Sequence, residues 1–101
     1  MYVVLSTYTA PLEEIDFVLP DHAEWLVKHY EAGDFLLSGR REPRVGGVII
    51  ARPMLRGKLD AILATDPFAY RHMVHYEVIE FAATRTAKEL NWLNEALVNQ
   101  E

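Results

Sequence analysis

The sequence predicts an α+β domain whose elements run β-α-β-β-α-β, followed by one more helix. Three observations point there. Four short stretches alternate their side chains with a period of two, and the stretches between them carry apolar residues at helical spacing. Proline and glycine sit at the joints. Residues 1–8 are the first strand, where Tyr2, Val4, Ser6 and Tyr8 alternate with Val3, Leu5 and Thr7. Thr9-Ala10-Pro11 ends it. Residues 12–19 allow a helical turn or two, and Pro20 opens the first full helix, with Asp21 and Glu24 near its positive end and Gly33 as its stop. Its stripe is His22, Trp25, Leu26 and Tyr30.

Residues 34–40 form the second strand, with Phe35, Leu37 and Gly39 opposing Leu36, Ser38 and Arg40. Arg41-Glu42-Pro43-Arg44 is a hairpin loop. Residues 45–52 form the third strand, and Gly46-Gly47 marks a bulge or a close backbone approach. A second helix over residues 55–65 carries Leu55, Leu59, Ile62 and Leu63, and Asp66-Pro67-Phe68 ends it. Residues 75–83 make the fourth strand. A terminal amphipathic helix over residues 86–98 presents Leu90, Trp92, Leu93 and Leu97. This order is the split βαβ, or ferredoxin-like, arrangement: an antiparallel sheet with two helices on one face.

Composition limits what such a domain can do. Its 101 residues are 50% hydrophobic and 25% charged, enough for one core and too few for two. Residues 1–83 form the domain and 84–101 an extension. No apolar run approaches the roughly 20 residues of a membrane span, and no basic segment precedes an apolar one at the start. A cytoplasmic location, without membrane attachment, is expected. Cysteine is absent, which removes disulfides and thiolate chemistry. A net charge of −5 argues against nucleic acid as a partner. Apolar residues on both alternating sets of strands 1, 3 and 4 leave a second sheet face to be covered. Another copy of the chain is the simplest cover, so a homodimer is expected.

Several segments in fixed order resemble the YciI-like family. They are Met1-Tyr2-Val3-Val4, His22-x-x-Trp25-Leu26, residues 33–39 (Gly-Asp-Phe-Leu-Leu-Ser-Gly), residues 44–49 (Arg-Val-Gly-Gly-Val-Ile), Asp66-Pro67-Phe68 and residues 76–81. The resemblance implies a dimeric α+β barrel. It also implies a pocket between sheet and helices holding a His–Asp pair, which falls on His22 and Asp66. Two features depart from the pattern. Arg71-His72-Met73 stands where a small, glycine-containing step is expected, and the extension lies beyond the shared core.

The residues suggest their own chemistry. A histidine in the first turn of its helix, as His22 is expected to be, meets the positive end of the dipole, which disfavours the imidazolium. Asp66 accepting from one ring nitrogen would fix the tautomer and leave the other nitrogen to take a proton. Arg40 and Arg44 flank the hairpin and could hold a substrate carboxylate. Ser38 ends a plain strand, without the sharp turn of a serine nucleophile, and is a hydrogen-bonding wall residue. Gly46-Gly47 lacks the spacing of a phosphate loop. Tyr8, Gly39 and Phe68 complete the expected wall. His72 and His75 have no third ligand nearby, so no metal is expected, and the chemistry needs no cofactor. His29 is expected at the helix surface or the edge of the core.

The leading expectation is therefore a small enzyme using His22, oriented by Asp66, for elimination or isomerisation of a small anionic substrate. A ligand-binding or dimerisation module with the same pocket is the alternative.

Overall fold

The computed structural model describes residues 1–98 and shows an α+β fold. Its elements are β1 (Tyr2–Tyr8), α1 (Leu12–Glu31), β2 (Phe35–Arg40), β3 (Gly47–Ala51), α2 (Arg56–Ala64), α3 (Pro67–Tyr70), β4 (Val74–Glu80), a 3₁₀ turn (Lys88–Leu93) and α4 (Glu95–Val98). The strands form one sheet in the order β2-β3-β1-β4, every neighbouring pair antiparallel. That order is ferredoxin-like, as the pattern of elements predicts.

The first helix departs most from expectation. It starts at Leu12 and runs through Pro20, which does not open it. Pro20 is exposed, so its missing hydrogen bond falls on the solvent side. A buried stripe of Ile15, Val18, Trp25 and His29 continues past it. An interior proline costs about 3 kcal/mol, whereas burying an isoleucine and a valine returns about 1.5–3 kcal/mol each. Burial wins, and the two segments read as separate join into one helix. His22 consequently lies about three turns from the helix start, where the dipole of the terminus does not reach. The first-turn argument for its protonation state is overturned.

A bulge changes the second strand. The register with β3 shifts between Phe35 and Leu37, so Phe35 pairs with Ala51 but Ser38 with Ile49 and Arg40 with Gly47. Paired residues share a sheet face. Phe35, Ser38 and Arg40 therefore all point toward the helices, where strict alternation would have split them.

The remaining boundaries shift for local reasons. β3 starts at Gly47, because the Gly46 carbonyl turns back to accept from Arg41 N–H at 3.0 Å. Asp66-Pro67-Phe68 does more than stop α2: it starts the short helix α3, with Asp66 as N-cap. The expected terminal helix is broken at Asn94, which is extended and accepts from the N–H groups of Ala96 (3.0 Å) and Leu97 (3.2 Å). The chain is thereby capped afresh there instead of continuing the preceding turn.

Two core clusters fill the space between sheet and helices. One gathers Tyr2, Val4, Trp25, Phe35, Ile49, Ala51, Leu59, Ile62 and Leu63. The other gathers Ile15, Val18, Phe68 and Met73. On the opposite face of the sheet the register aligns Leu37, Ile50, Val3 and Ile79 across all four strands. Leu37 and Ile79 there are 59% and 45% exposed. Among the described residues, no helix is long and apolar enough to cross a membrane.

Candidate functional site

His22 sits on α1 between Val18 of one core cluster and Trp25 of the other. At this seam the packing opens into a cavity of about 410 Å³. Asp66 lies behind the wall and is completely buried. His22 Nδ1 is 2.8 Å from Asp66 Oδ1, the same oxygen that accepts from Phe68 N–H at 3.0 Å. Tyr76 donates its hydroxyl to Asp66 Oδ2. A carboxylate that receives donors on both oxygens is an acceptor for the ring as well, so Nδ1 carries the proton and Nε2 is left free. Burial pushes the Tyr76 hydroxyl far above its ordinary range, helped by the Asp66 charge and by their hydrogen bond, so Tyr76 stays a donor.

Packing fixes the rest of the geometry. The imidazole stacks on Phe68, ring centres 4.4 Å apart and planes 23° apart. Trp25 lies 5.5 Å from it, tilted by 31°, and donates its indole N–H to Thr65 Oγ1 at 2.9 Å, tying α1 to the residue before Asp66. The ring can turn little, and its side chain is 17% exposed, toward the cavity.

The same cavity is lined by Tyr8, Ser38, Gly39, Arg40, Arg44, Gly46, Gly47 and Phe68, so every expected wall residue lies on one opening. Their local roles differ from the expected ones. Gly46 is needed for the backbone: a Cβ there would stand 1.8 Å from the Ser6 carbonyl oxygen of β1. The close backbone approach expected here is made to strand β1. Ser38 shares a hydrogen bond with Tyr30. Arg44 reaches back to pair with Asp16 of α1, and the bond between them raises the guanidinium above its ordinary value and lowers the carboxyl.

A YCII-related domain matches residues 1–82. The chain belongs to the YCII-related family. No curated protein matches it. The segment from Ala83 onward lies outside the matched domain. It is held by Glu95, which accepts from Ala83 N–H and faces the Met1 amino group at 3.5 Å, and by Arg52 over the Trp92 ring at 5.4 Å.

Within this YCII-related domain the departure at residues 71–73 has a physical meaning. His72 takes φ 58°, the left-handed conformation that glycine adopts without strain. His75 is on β4, and no group of three metal-ligating side chains occurs among the described residues.

The sequence reading missed several members of the site. Tyr76 was the most important, and the signal was present: it pairs with Ser6 of β1, on the strand face that points into the cavity. Leu19 and Leu26 line the cavity because α1 runs straight through Pro20. Of the two places expected for His29, the edge of the core is the one it takes: it is 7% exposed, beside Trp25 and Phe35, and bonded to Asp34 at 2.8 Å.

Proposed function

We propose that this YCII-related protein is an enzyme that transfers protons at His22 Nε2, with Asp66 holding the ring and offsetting the charge it gains. One observation carries the reading: a His–Asp pair at 2.8 Å on the wall of a cavity lined largely by apolar side chains, with Nδ1 engaged and Nε2 left without a protein partner. The reaction class is elimination or isomerisation started by abstraction of a proton from carbon. No cofactor is needed for that step, because a positioned base supplies roughly 10²–10⁴-fold by itself. The working form is a homodimer in the cytoplasm, the second copy covering the apolar sheet face around Val3, Ile50 and Ile79.

The chemistry is tested without knowing the substrate. The protein is incubated in deuterium oxide with a panel of small carbon acids, and deuterium uptake is followed by NMR. Exchange that disappears in His22→Ala supports the base. If no compound exchanges while ligands still bind the cavity, the protein is a binding module. Light scattering tests the dimer: a stable monomer at micromolar concentration refutes it.

A further inference from the structure

We infer that the Arg40–Arg44 end of the cavity is a carboxylate subsite, so that the substrate is a small carboxylate with an apolar body. The inference rests on reading the cavity as a substrate pocket and deepens it by naming the class of molecule. The lining residues include two arginines and one histidine but no aspartate or glutamate, in a chain whose net charge is −5. Positive charge is thus concentrated where the average of the molecule would not place it. The remaining wall is largely apolar: Val4, Leu19, Leu26, Val48, Ile49 and Phe68.

The two arginines are placed differently. Arg40 stands at the end of β2, turned to the cavity side by the bulge, and is exposed with no ion pair among the described residues. Arg44 is tethered by Asp16, which is itself 55% exposed on the solvent side. The tether orients the planar guanidinium without exhausting it, because it engages Nη2 and leaves Nη1 without a protein acceptor among the described residues. A planar carboxylate fits such donors, and bonds to a charged group are about twice as strong as neutral ones. His22 and Phe68 line the same cavity, so a ligand anchored by its carboxylate sets its carbon skeleton beside the free imidazole nitrogen.

The experiment uses the full chain and two probes of nearly equal shape, benzoate and benzamide, titrated by ¹H–¹⁵N NMR. Benzoate is expected to bind at least about tenfold more tightly than benzamide, the ratio that about 1.4 kcal/mol of charge-assisted bonding gives. It should shift the amide signals of Arg44, Gly46 and Gly47 and weaken as salt rises. Arg40→Gln and Arg44→Gln should each reduce benzoate affinity several-fold and leave benzamide unchanged. Arg40 makes no structural bond, so its variant tests the subsite even if Arg44→Gln loosens the loop. Equal affinity for the two probes, benzoate binding indifferent to both substitutions, or no binding of benzoate at millimolar concentration would each overturn the subsite. The titration involves no turnover, so it can fail while deuterium exchange at His22 succeeds, and the reverse.

Discussion

Helix α1 carries two histidine–aspartate pairs on one face, two turns apart, and their contact distances are equal. His22 meets Asp66 and His29 meets Asp34, each through Nδ1 at 2.8 Å. They differ at the other nitrogen. His22 lines a cavity and its Nε2 is not among the buried unpartnered atoms, whereas His29 Nε2 is buried without a partner, packed beside Trp25 and Phe35 at ring distances of 5.2 Å. The aspartates differ too. Asp66 is sealed and held by a backbone N–H and Tyr76, whereas Asp34 reaches the exposed Lys58 at 3.3 Å. A His–Asp contact alone is thus no sign of catalysis. What separates a site from a structural clamp is whether the second ring nitrogen has somewhere to send a proton.

Exchanging the two histidines for alanine breaks the comparison most sharply. His22→Ala is expected to slow deuterium exchange by about 10²–10⁴-fold with the fold retained, if the proposed base is this ring and Asp66 keeps Phe68 N–H and Tyr76 as donors. His29→Ala should keep the exchange within a few-fold and instead lose about 1–3 kcal/mol of stability, since Asp34 keeps only Lys58 as side-chain partner. Exchange rates and urea unfolding on both variants check this. Loss of exchange in His29→Ala alone would reverse the assignment of the two pairs.

The aspartates sharpen it next. Asp66→Ala strands Phe68 N–H, His22 and the Tyr76 hydroxyl around a void, and should cost about 3–5 kcal/mol. For a domain of this size that lowers the melting temperature by more than about 12 °C, measurable by calorimetry. Asp66→Asn should be milder in stability yet still lose exchange, because an amide can present the ring with the wrong tautomer.

Acid probes the His29–Asp34 pair in another way. Burial pushes the Asp34 carboxyl up, but hydrogen bonds from His29 and Lys58, with their charges, outweigh it and hold the group below its ordinary value. A carboxyl lowered in the folded state stabilises the fold above its unfolded value of about 3.9, and this is lost as pH falls through the folded value. The stability gap between the protein and Asp34→Asn should therefore be full at pH 7 and shrink below about pH 4. Urea titrations at both ends measure it; a gap that widens toward acid would refute the assignment.

How much of this was legible in the sequence follows from how local each cause is. The strands were, because a period of two survives in four residues, and so was the grouping of Tyr8, Ser38, Gly46 and Phe68 around one opening. The run of α1 through Pro20 was not: it depends on Ile15 and Val18 finding a core that only the folded sheet supplies. The bulge after Phe35 was equally hidden, since it comes from register with β3. The stop at Gly33 was legible, but not that its turn, with φ 79°, brings the Asp34 carboxylate back onto His29. Long-range packing wrote those features, and a one-dimensional pattern does not carry them.

The smallest expected effect is at Tyr76, and it tests whether the pair at His22 is a network rather than a contact. Tyr76 gives Asp66 Oδ2 its donor, while Oδ1 is served separately by Phe68 N–H and His22. Removing one hydroxyl leaves the backbone bond and the Phe68 stack in place, so the imidazole keeps its position. Tyr76→Phe should thus cost about 1–3 kcal/mol, since a buried carboxylate oxygen loses its donor, but slow exchange by less than about tenfold. The informative readout is the His22 Nδ1–H proton resonance. With Oδ2 relieved of its donor, more of the carboxylate's charge falls on the bond to the ring, and that resonance should move downfield. In His29 the corresponding proton faces Asp34, which Tyr76 does not touch, and it should not move. A shift at both histidines, or at neither, would show that Tyr76 does not act through Asp66.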